Sequence, residues 1–215
     1  MKKLAIFDLD GTLLDTLGDL AAACNYVMQR NGYPIHDFDR YRYMVGNGIN
    51  KLIERALPAE FRSPERAAAL RPEFIARYRE HLSDHTRPYP GIVALLDRLE
   101  SGNVLLAVAS NKYHEGTRTL VQRFFPRQRF VRVLGQREGV PVKPDPAIVF
   151  EILESAQIPR EETLYIGDSD VDMLTASRAG VDSVGASWGF RPCEELQKAG
   201  ATHMARTPMD IVKFL

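Results

Sequence analysis

Apolar residues follow two different rhythms along the chain. Leu4-Ala5-Ile6-Phe7 is an unbroken apolar run closed by Asp8-Leu9-Asp10-Gly11-Thr12, which predicts a short buried strand ending in a turn. The helical rhythm takes over after it. Over residues 15–31, Leu17, Leu20, Ala21, Cys24, Val27 and Met28 share one face, and Asn31-Gly32 stops the helix. A short helix over residues 37–45, a Gly46-Asn47-Gly48 loop and a helix over 49–57 follow. The next helix has Ser63 as N-cap and Pro64 in its first position, and runs to His81.

Beyond Arg87-Pro88-Tyr89-Pro90-Gly91 the pattern alternates. Helices are predicted over 91–101, 114–124, 146–157 and 171–179, and strands over 104–109, 130–134, 163–166 and 181–184. Strands that alternate with helices build a parallel sheet covered on both faces. The expected fold is therefore α/β: a doubly wound, mainly parallel sheet formed by residues 1–14 and 87–215, with an all-helical cap domain inserted as residues 15–86.

Composition changes this picture little. The 215 residues are 45% hydrophobic and 26% charged, as in ordinary globular chains. Lys plus Arg and Asp plus Glu are 28 each, so charge gives no reason to expect nucleic acid or an acidic membrane as partner. Arg118, Arg123, Arg127, Arg129, Arg132 and Arg137 form a local basic cluster, expected to be a solvated face. Cys24 and Cys193 lack metal-ligand spacing and suit a reducing compartment. Lys2-Lys3 precedes an apolar run that Asp8 ends too early for a signal peptide, and no stretch spans a bilayer. A cytoplasmic protein is expected.

The chemistry gathers at strand ends, where ligands bind in open α/β sheets. Asp8 and Asp10, two apart on extended chain, point to one side. Close like charges are costly unless a cation lies between them. The second strand runs into Ser110-Asn111-Lys112, and the strand near 163 into Gly167-Asp168-Ser169-Asp170-Val171-Asp172. Asp168 and Asp172 lie one helical turn apart. Ser110 and Ser169 also suit plain N-capping, Asp170 suits a helix N-terminus, and Lys143-Pro144-Asp145-Pro146 suits a helix start. Asp8, Asp10, Asp168 and Asp172 make a hard-oxygen set fit for Mg²⁺. His81 and His85 stand four apart with no third ligand for zinc in view. A magnesium ion, a lysine and a serine hydroxyl together suit a phosphoryl group. One carboxylate can attack phosphorus and form an aspartyl-phosphate, while the other exchanges protons with the leaving oxygen and with water.

In order along the chain, Asp8-Leu9-Asp10-Gly11-Thr12-Leu13, Ser110-Asn111, Lys143-Pro144 and Gly167-Asp168-Ser169 through Asp172 resemble the four motifs of the haloacid dehalogenase superfamily, and the helical insertion resembles its C1 cap. The resemblance implies a Rossmann-like core and Asp8 as nucleophile. It implies Asp10 as general acid and base, with its backbone carbonyl on Mg²⁺ beside Asp8 and Asp168. Ser110 and Lys143 would hold the phosphoryl group, together with Leu9 and Asn111. Ser169 and Asp172 would support these groups from behind.

Within the superfamily, Asp15-Thr16 through Leu20, Val45 through Leu52, Tyr78 through His81 and Thr86 through Gly91 are similar to the phosphoglycolate phosphatases. The implied reaction is Mg²⁺-dependent hydrolysis of a small phosphate monoester, foremost 2-phosphoglycolate. A phosphomutase of the β-phosphoglucomutase type, a pyrophosphatase and a non-catalytic phosphate-binding module are the alternatives. Gly46, Asn47, Gly48 and Lys51 are the expected specificity residues of the cap, with Arg40 and Arg42 as further cations.

Overall fold

The structure is a computed structural model that describes residues 1–215. Its centre is β1 (Leu4–Phe7), four residues without solvent exposure. On one side lie β4 (Leu105–Tyr113) and β5 (Phe130–Gln136); on the other lie β6 (Thr163–Gly167), β7 (Asp182–Ala186) and β8 (His203–Ala205). The order is β5-β4-β1-β6-β7-β8, and every adjacent pair is parallel. Leu4 pairs with both Leu105 and Thr163. The sheet therefore grows outward in both directions from β1. The carboxyl end of β1 lies where those directions part, the usual crevice of such sheets.

Burial on both faces explains the apolar run. Ala5 and Phe7 join a large cluster with Leu96, Val108 and Ile166, while Leu4 and Ile6 join a smaller one with Ile148, Ile152 and Tyr165. The covering helices are α5 (Ile92–Ser101), α6 (His114–Phe124), α7 (Ala147–Ala156), α8 (Asp170–Ala179) and the short α9 (Cys193–Lys198).

Two two-residue strands, β2 (Leu14–Asp15) and β3 (Arg87–Pro88), pair antiparallel. The chain between them is helical: α1 (Leu17–Arg30), α2 (Tyr41–Met44), α3 (Ile49–Ala56) and α4 (Pro64–His81), with 3-10 turns at Phe38–Arg40 and Ala59–Phe61. The Ser63 hydroxyl accepts from the Arg66 amide at the start of α4, as expected of an N-cap. At the exit of this segment the buried Asp19 carboxylate accepts from the amides of His85 and Thr86 and from the Thr86 hydroxyl, at 2.7–3.2 Å. Leu20, Leu52 and Tyr78 of the helical segment share the large apolar cluster with the sheet, so the helices rest on it closely.

Several expectations shift. Helix α1 starts at Leu17 because Leu14 and Asp15 pair with β3 and the Thr16 hydroxyl bonds Asp10. Strand β4 extends to Tyr113, with an irregular register against β5 after Ala109. The pattern did not predict α9, β8 or the final 3-10 turn at Pro208–Phe214. Cys24 and Cys193 are free. Arg118, Arg123, Arg127, Arg129 and Arg132 are exposed, and Arg137 pairs with Glu151. His81 contacts Asp84 and Arg77, whereas His85 enters through its backbone; no third zinc ligand joins them. No helix is long and apolar enough to cross a membrane.

Candidate active site

Each strand end places its polar groups by a local device. After β1 the chain folds back at Gly11, whose φ of 89° suits glycine. A Cβ at Gly11 would also strike the Asp168 carboxylate. The Trp188 indole donates to the Thr12 carbonyl at 3.0 Å and steadies the turn. At the end of β6, Ser169 and Asp172 cap α8 reciprocally. The Ser169 hydroxyl donates to the Asp172 carboxylate at 2.6 Å. From the end of β4, Asn111 donates to the Lys143 carbonyl at 3.0 Å and accepts from its amide at 2.9 Å, which fixes the loop carrying Lys143.

Lys143 is the hub. Its ammonium lies 3.0 Å from Asp8 and 2.7 Å from Asp172. It also donates to the Ala109 carbonyl at 2.9 Å and to the Tyr165 hydroxyl at 3.0 Å. Asp168 accepts from the Thr12 hydroxyl at 3.0 Å and from the Phe190 amide at 2.7 Å. Oxygens of Asp8, Asp168 and Asp172 all lie within 4.8 Å of one another, and all three residues are buried.

Three carboxylates face one ammonium here, and the electrostatics register the excess. Burial, then the Asp172 charge, pushes Asp8 up to about 7, against the opposing pull of Lys143. Burial and the charges of Asp172 and Asp8 raise Asp168 well above the carboxylate range. Burial works to lower Lys143, but Asp172 and Asp8 outweigh it and hold the ammonium charged. Such a set of close, dry oxygen donors short of positive charge fits a divalent hard cation.

Asp10 is handled separately. Its carboxylate receives the Lys112 ammonium at 2.8 Å on both oxygens and the Thr16 hydroxyl at 2.7 Å. Asp8, Asp10, Ser110 and Lys112 form the floor of a cavity of about 30 Å³, roofed by Leu20, Val45, Ile49, Leu52 and Tyr78 of the helical segment. That volume is room for roughly two waters.

Asp8, Lys143 and the acidic cluster thus meet at the carboxyl edge of the parallel sheet. The sequence model of the haloacid dehalogenase-like hydrolases matches residues 5–186. The chain belongs to this family. Among this hydrolase's relatives, the phosphoglycolate phosphatase of Mesorhizobium japonicum is 32% identical over 88% of this chain and 84% of its own. That of Vibrio cholerae is 34% identical over 92% and 89%. A crystal structure from Lactobacillus delbrueckii subsp. bulgaricus superposes with a TM-score of 0.93 at 32% identity, covering 100% of this chain and 98% of the other. The crystal structure of a hydrolase from Pseudomonas syringae gives 0.78 at 28% identity, covering 99% and 97%.

In this hydrolase the strand-end residues Asp8, Asp10, Ser110, Asn111, Lys143, Asp168, Ser169 and Asp172 come together. The Leu9 amide works to lower Asp8 against the effect of burial. Asp172 stands among the three clustered carboxylates as well as behind Lys143. Asp170 sits in the first turn of α8.

Gly46 and Gly48 line the cavity, but Asn47 and Lys51 do not. Gly48 has a φ of 83°, and a Cβ there would press on the Asn111 carbonyl at 3.4 Å. The Asn47 side chain accepts from Arg55 at 2.8 Å. Lys51 is half in solvent and pairs with Glu54 at 2.7 Å, because α3 turns Ile49 and Leu52 inward and the intervening positions outward. Arg40 is exposed, Arg42 pairs with Asp39, and neither lines the cavity.

Sequence reasoning missed Lys112, Thr16, Tyr165 and Arg191. The signal for Lys112 was a lysine directly after Ser110-Asn111 at a strand end, a place where only a paired charge is buried. Arg191 carried no signal. Its guanidinium reaches across to the Arg42 and Val45 carbonyls while Asn111 donates to Gly46.

Proposed function

We propose that this hydrolase is a Mg²⁺-dependent phosphatase that cleaves 2-phosphoglycolate through an aspartyl-phosphate on Asp8. The observation that carries the reading is the buried cluster in which Lys143 bridges Asp8 and Asp172 beside Asp168. Relatives of the same length that bear the name phosphoglycolate phosphatase support the substrate.

Asp8, Asp168 and the Asp10 backbone carbonyl would hold the metal, with Asp172 adjoining. When bound, Mg²⁺ supplies positive charge to the transferring phosphoryl oxygens and keeps the Asp8 carboxylate ionised. Lys143, with the Ser110 hydroxyl and the Asn111 side chain, steadies the same oxygens. Asp8 attacks phosphorus in line with the ester oxygen, which departs as glycolate after taking a proton from Asp10. Asp10 then removes a proton from the water that attacks the aspartyl-phosphate, releasing phosphate and restoring Asp8.

Residues 15–86 act in this reading as a cap, and 1–14 with 87–215 as the catalytic core. A cavity of about 30 Å³ is too small for an organic phosphate, so substrate enters when the cap parts from the core around the β2–β3 ribbon. The closed form then excludes water during attack. A cytoplasmic setting accords with the two free cysteines.

The test is kcat/KM over a panel of phosphate esters. Phosphoglycolate should lead, with activity lost in EDTA and restored by Mg²⁺. A hexose phosphate or pyrophosphate turned over more efficiently would displace the substrate assignment.

A further inference from the structure

Lys112 occupies an unusual place. Its side chain is 2% exposed, its ammonium lies 4.8 Å from the centre of the Tyr78 ring, and both of its carboxylate contacts go to Asp10. It is also the single cationic side chain on the cavity wall, where Asp8 and Asp10 are the acids and Leu20, Val45, Ile49 and Leu52 make the facing side apolar.

A substrate with a second anionic group brings a charge into this enclosure that the phosphoryl machinery does not meet. Lys143 is committed to Asp8 and Asp172. The cap cations Arg40, Arg42 and Lys51 lie elsewhere. An unpaired charge against the apolar side of this cavity is disfavoured, and Lys112 is the cation on its wall that can meet the second group. The amino end of α3 opens on the same cavity at Gly48 and Ile49 with no capping side chain, which further favours an anion there.

We propose that Lys112 is the specificity residue for the substrate carboxylate, and that it exchanges partners on binding. In the free site it holds Asp10 with the help of Thr16. With substrate bound, the ammonium turns to the carboxylate, and Asp10 takes up a proton from solvent as it is released toward the ester oxygen. One carboxylate replaces another on the same ammonium, and the proton gained by Asp10 offsets the charge that the substrate brings. A phosphate ester without an anionic end leaves Asp10 held by Lys112, away from the ester oxygen. Recognition of the carboxylate and deployment of the proton donor thus become a single event. This inference rests on the phosphatase reading above and names the residue that selects its substrate.

The experiment compares three esters of matched length in the full-length protein with Mg²⁺: 2-phosphoglycolate, 2-hydroxyethyl phosphate and 2-aminoethyl phosphate. The wild type should prefer them in that order. A charge-assisted contact in a dry site carries a factor of about ten to a hundred. Lys112→Met keeps the apolar stem against Tyr78 and removes the charge. It should shrink the preference for the carboxylate over the hydroxyl ester by at least about tenfold, whatever its effect on the absolute rates. Lys112→Arg should retain most of that preference. Thermal melts of both variants confirm that folded protein is compared, and the wild-type order needs no variant at all. A wild type that favours the hydroxyl ester overturns the phosphoglycolate reading and this inference with it. A wild type that favours phosphoglycolate, with the preference intact in Lys112→Met, overturns only the role of Lys112.

Discussion

Removing the charge of Lys143 tests the electrostatic design of the site most directly. Lys143→Met preserves the length of the buried stem but leaves Asp8 and Asp172, at 3.0 and 2.7 Å, without their ammonium. The Ala109 carbonyl and the Tyr165 hydroxyl lose a partner as well. Breaking a buried pair on one side costs about 3–5 kcal/mol, because the charge left behind is uncompensated. For a chain of 215 residues that corresponds to a melting point lower by about 6–20 °C. The measurement is denaturant and thermal unfolding in EDTA, since a divalent cation would replace part of the lost charge. Adding Mg²⁺ should narrow the gap. Asp172→Asn in the same background removes the carboxylate that Lys143 approaches most closely. The double variant should therefore recover about 1–3 kcal/mol relative to the sum of the single changes. Turnover should fall by orders of magnitude in every Lys143 variant. A Lys143→Met protein within about 1 kcal/mol of wild type in EDTA, or strict additivity in the cycle, would show that Asp8 and Asp172 are not sharing this lysine.

Asp8→Asn should abolish turnover, since an amide forms no phosphoenzyme. Asp10→Asn should lower turnover by orders of magnitude while still allowing a phosphoenzyme to be trapped; acid-quenched labelling distinguishes the two. In metal-free protein, Asp8 at about 7 lies above its unfolded value, so the folded state retains a proton that the unfolded state has released. Stability should therefore fall as pH rises from about 4 to about 7. Asp8→Asn should flatten that slope, and calorimetry of Mg²⁺ binding near pH 6 in two buffers should detect proton release. Arg191→Met removes the guanidinium from the Arg42 and Val45 carbonyls and should raise KM several-fold by loosening the closed form, with the melting point changed by only a few degrees. Lys51→Ala, exposed and paired only with Glu54, should leave kcat/KM for every ester within about twofold, because exposed pairs contribute little.

The sequence by itself determined the main elements and the polar groups that meet at the strand ends. The apolar run at Leu4–Phe7 and the alternation after Arg87 required a parallel sheet, because only a strand buried on both faces can be apolar at every position. Asp8, Asp10 and Asp168 were legible because carboxylates closing apolar strands have no place in a sheet unless they serve a site, Asp172 because it follows Asp168 by one helical turn, and Lys143 through the family resemblance. Weak local patterns hid the rest. Strand β8 is three residues long and stands only because β7 offers an edge, and β2 and β3 exist only as each other's partner. Tertiary structure alone decided that Lys143 is shared by Asp8 and Asp172 and that Lys112 rather than Lys51 faces the cavity. It also decided that Arg191, 146 positions from Val45, grips that residue's carbonyl. Periodicity tells which face of a helix is apolar. It cannot tell which neighbour that face will meet, and the pairing of charges depends on distances that only the packed chain sets.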